Sequence, residues 1–407
     1  MVFSCLVTSL HKNTLRTKFC VLFFQVSGNI EEKVTIVNSV YATIGAQVAV
    51  KTKLERNGIG LLIKVLKDEK LFITKPVKEI LFDGYEDPIL SLLYTILDPL
   101  SKFGIKIPGL TSRLGLFFGR NNTWYSDGIT NIHTGVNSLN QLGQMASFNH
   151  SKTYPYFKGE CAKYKGSPEL FPPYLDDETK QFLFNPDLCR TMELTPARET
   201  KKVKGTIGSV YVIDETFFAN ASINPENQCF GLSQIPSGLF DASACRFEAP
   251  IFMSQPHFYQ ADPYYQTLLG QPLKPNKTLH ETKFVFETVS GVPMKVSARF
   301  QVNVKLDQIE ELDVFKNLPK ITYLPMAWFD TSMELPKTLT SQMWYLSNLK
   351  AILISIGSLF ICIGIGVLIF GYFKYYSSIS KGPTQMILVE SSEETTDTEE
   401  IHTETTE

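Results

Sequence analysis

Four cysteines lie within one stretch of this chain: Cys161, Cys189, Cys229 and Cys245. Thiols in even number pair as disulfides in an oxidising compartment, or hold zinc when they are closely spaced. No CxxC pair is present, so two disulfides are the expected chemistry, and spacing leaves every pairing open. The same region carries the N-glycosylation sequons Asn121-Asn-Thr123, Asn149-His-Ser151, Asn220-Ala-Ser222 and Asn276-Lys-Thr278. A second chemistry is electrostatic. Lys51, Lys53, Arg56, Lys64, Lys67 and Lys70 are set against only Glu55, Asp68 and Glu69. Such a patch suits an anionic ligand, and its ordinary alternative is a solvated helix face. Catalytic chemistry finds no footing, because GxSxG, HExxH and P-loop patterns are all missing. His257 sits among aromatics and reads as a hydrogen-bonded structural residue. Glu86-Asp87 and Asp176-Asp177 stand where helix caps or exposed loops would put them. The expectation is a non-enzyme with no metal, no cofactor and no nucleic-acid partner.

These residues must be positioned relative to a membrane. Residues 351–373, AILISIGSLFICIGIGVLIFGYF, form 23 residues without a charge. At about 1.5 Å rise per residue they exceed the ~30 Å of bilayer hydrocarbon. Lys350 and Lys374 bracket the run, and Tyr345, Tyr372, Tyr375 and Tyr376 supply interfacial rings. All four sequons precede the span, which puts the large upstream part on the secretory side. The whole chain is at −2, yet eight acids and no Lys or Arg follow Lys381, so residues 1–381 carry +6. Residues 374–407 therefore read as an acidic, disordered cytoplasmic tail. Residues 1–28 fit no single template. They read either as a signal segment or as the start of an unusual transcript or incomplete gene model.

Between them, residues 29–348 read as one large ordered domain with mixed helix and strand. Val34–Val37 and Leu71–Thr74 are strand candidates. Residues 41–66 look helical in two pieces broken at Gly58 and Gly60. Asp87-Pro88 starts a helix, with Asp as N-cap and Pro in the first turn. Residues 207–213 are β-branched and aromatic. From Met294 to Leu306 apolar residues occupy every second position, which predicts a strand with one buried and one wet face. It pairs with residues 283–289 across Ser290-Gly-Val-Pro293 as a hairpin.

Several short motifs carry a resemblance. Pro256-His-Phe-Tyr-Gln-Ala-Asp-Pro263 resembles the PHFxxADP signature of the class B scavenger receptors. That family includes fatty acid translocase (platelet glycoprotein IV), the lysosomal integral membrane protein, croquemort and the sensory neuron membrane proteins. Leu81-Phe-Asp-Gly-Tyr-Glu-Asp-Pro88 resembles its LLWGYEDP, and Asn121-Asn-Thr with Asp127-Gly128 its NNTxDG. Phe171-Pro-Pro173, Cys189-Arg190, Phe218-Ala-Asn220, Cys245-Arg246, Gly291-Val-Pro293, Ala298–Asn303 and Leu324–Phe329 follow in the family's order. The resemblance implies an α+β fold: a large irregular antiparallel β-barrel ectodomain with an apical helical bundle, an internal hydrophobic tunnel and the C-terminal transmembrane helix. It implies the pairs Cys161–Cys229 and Cys189–Cys245. It also maps Lys53, Arg56, Lys64, Lys67 and Lys70 to the ligand-engaging apex. Cys161-Ala-Lys-Tyr-Lys-Gly-Ser167 departs from the family's CNMINGT by lacking its sequon. Relatives also place a first membrane helix and more ectodomain before the position of Val34, so an N-terminally shortened, arthropod-like member is expected.

The function implied is binding of lipids, fatty acids or lipoproteins at the basic end, with transfer through the tunnel to the membrane. The alternatives are a lysosomal membrane protein binding a luminal enzyme or lipid, and an adhesion or pathogen-recognition receptor without lipid transport. The plasma membrane is the expected location, the lysosomal membrane its alternative. Gly357, Gly364 and Gly371 recur every seventh residue and make a homo-oligomer through the span a further expectation.

Overall fold

Alternation of apolar and polar residues around Phe300 builds the longest strand of the main sheet. The computed structural model describes residues 2–11, 14–23, 29–65, 70–99, 111–120, 128–268 and 273–382. The N-terminal segments Val2–His11 and Thr14–Phe23 pair as an antiparallel hairpin. Lys33–Val37 (β1) pairs with Phe72–Pro76 (β2) and brackets two helices, Ser39–Ala49 (α1) and Lys53–Val65 (α2). Pro88–Leu97 (α3) follows.

The main sheet is entirely antiparallel. Its strands are Gln181–Asn185 (β3), Arg190–Val203 (β4), Thr206–Ile213 (β5), Phe240–Asp241 (β6), Ile251–Ser254 (β7), Lys283–Phe286 (β8), Pro293–Asp307 (β9) and Ile321–Glu334 (β10). They run in the order β6-β7-β9-β8-β5-β4-β3, with β10 on the other edge of β9. Along its inner edge β9 meets β8 through Pro293–Ser297 and β7 through Gln301–Val304. The sheet therefore forks at β9, and among the described residues it does not close into a barrel. The chain divides into two units, residues 1–347 and residues 348–407. The helix Lys337–Ser380 (α4) holds the one described segment long and apolar enough to cross a membrane.

Two expectations change in physical detail. The helical break falls at Val50–Thr52, not at Gly58 and Gly60. Thr52 and Glu55 form a capping box there: Thr52 N donates to Glu55 Oε2 at 2.9 Å, and Glu55 N donates to Thr52 Oγ1 at 3.4 Å. Gly60 instead permits close packing, since a Cβ there would lie 2.7 Å from the carbonyl oxygen of Glu311. Strand β9 is covered on both faces at its centre. Asn303, expected to be wet, is 0 % exposed, and its neighbour Gln301 is 2 % exposed. Asn303 Nδ2 donates to Ser254 Oγ at 3.0 Å and Gln301 Nε2 to Asn303 Oδ1 at 2.8 Å. The Pro256–Phe258 turn caps this network, with the His257 amide donating to Gln301 Oε1 at 2.8 Å. A buried polar network of this kind is tolerated because its members are paired.

Candidate ligand-binding site

The basic segment folds into a cross-capped helical end. Asn38 caps α1, its Oδ1 accepting from Val40 N at 3.0 Å, and Asp87 caps α3, its Oδ1 accepting from Ile89 N at 3.0 Å. The two caps are joined, because Asn38 Nδ2 donates to Asp87 Oδ2 at 2.9 Å. Tyr41, Ala42 and Val48 of α1, Ile63 of α2 and Ile89 of α3 share one buried cluster with Ile309, Leu312 and Phe315. The outer surface is amphipathic. Lys51, Lys53 and Lys70 are exposed, and so are Leu54 at 83 % and Leu61 at 68 %. On α3, Leu92, Leu93 and Ile96 are exposed.

The five candidate contacts do not share one role. Lys53 is exposed and carries no ion pair among the described residues. Arg56 Nε lies 3.3 Å from Glu311 Oε1, whose side chain is largely buried, so this cation anchors α2 to the loop beneath it. Lys64 belongs to α2, but its side chain lies outside the description, as does Lys67 altogether.

A different cation, not singled out from the sequence, lies inside the sheet. Arg190 is 8 % exposed and its guanidinium stands 4.0 Å from the ring centroids of Phe217 and Phe230 and 5.0 Å from that of Phe240. It donates to the Phe217 carbonyl at 3.3 Å and to Asn227 Oδ1 at 3.1 Å. Burial lowers its pKa to about 9, so it remains charged at neutral pH. Aromatic faces stand where a directly paired carboxylate usually would, with Glu193 and Glu226 favouring the charge without an ion pair to it. The signal that could have found it is the alternation Arg190, Met192, Leu194, all on the buried face of β4.

Disulfides staple this core. Cys161 joins Cys229 with Cα atoms 5.9 Å apart, and Cys189 joins Cys245 at 6.3 Å. Closing loops of 68 and 56 residues stabilises the fold by about 4 kcal/mol each on chain-entropy grounds. Asp187 beside the second bridge receives Arg120 at 2.7 Å and Arg246 at 3.1 Å. Burial pushes its carboxyl up, but the two guanidinium groups outweigh that and hold it below the usual range. Of the sequons, Asn149 and Asn276 are exposed, whereas Asn220 is half-buried with its amide donating to the Ile235 carbonyl at 2.7 Å. Asn121 lies outside the described residues. His257 is corrected in one respect: its ring lies tilted against His280 with centroids 4.2 Å apart, and its Nδ1 is buried without a hydrogen bond.

The described residues thus hold a disulfide-stapled antiparallel sheet, a helical end with exposed lysines and leucines, and one helix long and apolar enough to cross a membrane. The profile of the CD36 family matches residues 21–375. The chain belongs to that family, the class B scavenger receptors. It is 30 % identical over 318 residues to Protein peste of Drosophila melanogaster, an alignment covering 77 % of this chain and 55 % of peste. It is 31 % identical over 274 residues to scavenger receptor class B member 1 of Mus musculus, covering 67 % and 51 % of the two chains. Identity to lysosome membrane protein 2 of Homo sapiens is 26 % over 331 residues, covering 78 % and 65 %. The chain thus spans about half the length of the curated relatives it matches first.

Proposed function

We propose that this chain is a lipid-binding scavenger receptor. Lipids, fatty acids or lipoproteins dock at the helical end, and apolar cargo passes through the ectodomain along a tunnel towards the bilayer. Removal of apolar surface from water, at about 25 cal/mol per Å², drives the transfer, and no covalent step is needed. The observation that carries this reading is that Lys53, Leu54 and Leu61 of α2 and Leu92, Leu93 and Ile96 of α3 are all exposed on helices that share one core. Such a surface matches a ligand with an anionic head and an apolar body. The acceptor membrane is the plasma membrane, with the sequon-bearing domain outside.

The lysosomal membrane is the second reading, supported by the alignment to lysosome membrane protein 2 across 78 % of the chain. Immunolocalisation against surface and lysosomal markers separates the two. For the lipid reading, the full chain in detergent should bind a fluorescent fatty acid that unlabelled lipid displaces. Charge reversal at Lys64 and Lys67 should weaken lipoprotein binding in low salt. A sample with both disulfides intact that binds no lipid would retire the lipid reading in favour of adhesion.

A further inference from the structure

A cavity at the start of β3 has no part in the helical end. It holds about 400 Å³, and Gln144, Ser167, Phe171, Tyr174, Gln181 and Phe182 contribute to its lining. That volume falls within the ~300–1,000 Å³ of small-molecule sites. Backbone contacts lock the surrounding segments together. At Gly143 a Cβ would lie 2.0 Å from the Leu170 carbonyl oxygen, and at Gly166 1.9 Å from that of Phe182. Both glycines have positive φ, 78° and 71°, so the close approach admits no side chain at either position.

Two features mark the cavity as a site. Gln181 is 5 % exposed, yet its side-chain amide makes no hydrogen bond among the described residues. A buried amide without a partner costs free energy, and this one is suited to a ligand that both donates and accepts. Tyr174 is the second feature. It is 74 % exposed with φ of 61°, a left-handed conformation that a bulky residue seldom adopts. The turn after β8 holds it there, since Tyr174 N donates to the Val289 carbonyl at 3.2 Å and Leu175 N to the Thr288 carbonyl at 2.8 Å. Gln144 adds a second amide: its Oε1 accepts from Gly166 N at 3.0 Å, which leaves its Nε2 to donate.

The charges of the lining argue against an anion. Lys180 is bound by both Glu193 and Asp214. Asp176 Oδ1 accepts from the amides of Glu178 at 3.0 Å and Thr179 at 2.5 Å. Three carboxylates thus stand against one cation, and a further negative charge would be repelled. What is left is neutral amides beside aromatic rings.

We propose that this cavity binds a neutral sugar ring carried by another molecule, with Gln181 and Gln144 meeting its hydroxyls and Tyr174 its C–H face. A pyranose has hydroxyls on its edge, each a donor and an acceptor, and C–H groups on its faces. Amides match the first and an aromatic ring the second. The inference rests on nothing at the helical end, and its ligand is not the anionic one assigned there.

The test uses the full chain in nanodiscs, free of sugar detergents, with maltose, lactose and chitobiose as probes in saturation-transfer NMR. At least one disaccharide should bind, and excess palmitate should not displace it. Gln181→Leu should weaken that binding about tenfold, and Tyr174→Ala several-fold. Gln181→Leu should also melt no lower than the parent, because the amide it removes has no partner in the fold. No binding of any probe to a sample with both disulfides intact would overturn the inference. A lower melting temperature in Gln181→Leu would make that amide structural and overturn it too. Displacement by palmitate would assign the cavity to lipid instead. Binding that appears only after the chain's own N-glycans are removed would assign it to those glycans, and either result rejects a sugar from another molecule.

Discussion

Arg190 and Lys53 are both cations, and the molecule treats them in opposite ways. Arg190 is enclosed by three phenyl rings, a backbone carbonyl and an amide, next to a disulfide. Lys53 stands in water on a helix whose neighbouring leucines are also exposed. Charge in the sheet is spent on holding the fold. At the helical end Arg56 is likewise tied to Glu311, whereas Lys53 is left in water. The comparison separates residues by consequence: losing Arg190 should cost stability, and losing Lys53 should cost binding.

The strongest way to break that comparison is Arg190→Ala. It removes a buried cation, leaves Asn227 Oδ1 without its donor and opens a cavity among Phe217, Phe230 and Phe240. The expected loss is about 3–5 kcal/mol, read as a shift in the urea midpoint of the purified chain. Arg190→Lys should rescue little, because an ammonium lacks the planar fork that stacks on rings and donates in two directions. Full stability in Arg190→Lys would mean that the aromatic cage recognises charge alone.

A smaller effect is expected from Asp87→Ala, which tests whether the helical end is one unit. Asp87 caps α3 and receives the Asn38 amide that caps α1, so two helix starts lose support together. The expected cost is about 1–2 kcal/mol in thermal unfolding. Hydrogen exchange should quicken at both α1 and α3. Acceleration at α3 alone would show that the Asn38–Asp87 bond carries no load.

Acid acts on two further groups of the fold, His280 and Glu169, in opposite senses. Burial holds the His280 imidazole below its ordinary pKa of 6.5, and His257 and Arg299 lower it further. The unfolded chain therefore takes up that proton first, and His280 destabilises the fold as pH falls through 6.5. Glu169 runs the other way. Burial raises its pKa to about 7, so the folded state keeps a proton that the unfolded state releases near 4.5. Its contribution is present at low pH and lost as pH rises through about 7. Melting temperature followed from pH 5 to 7 should rise more with pH in Glu169→Gln than in the parent, and rise less or fall in His280→Gln. Equal slopes in all three proteins would remove both residues from the account.

Local periodicity made much of this legible in the sequence. Residues 294–306 alternate with period two and form β9, and Asp87-Pro88 begins α3 as cap and first turn do. What periodicity could not show was how many layers cover a strand. Asn303 alternates as a solvent-facing residue should, yet β7 and the Pro256–Phe258 turn bury it. The capping box at Thr52–Glu55 was readable, but the two glycines nearby drew the break away from it. Arg190 was visible only as one letter of a motif. Its cage draws on Phe217, Phe230 and Phe240, which sequence separation hides until the sheet brings them together. Closure of the sheet into a barrel was an expectation of resemblance alone, and the described strands leave the sheet open at β10.

Lys53→Glu should have the smallest effect on the fold and so sharpens the comparison most. An exposed lysine without a partner contributes within about 0.5 kcal/mol to stability, and its reversal should leave the urea midpoint in place. Binding of an anionic lipoprotein should weaken by several-fold at low ionic strength. The difference should shrink near physiological salt, where the Debye length is about 8 Å and an exposed charge acts only at short range. Adding Leu54→Ser should weaken binding further without restoring salt dependence, because the apolar contact is not screened. If Lys53→Glu instead lowered stability as much as Arg190→Ala, the helical end would be part of the scaffold. The free charge would then have to be sought elsewhere, as at the exposed Lys201 and Lys202 of β4.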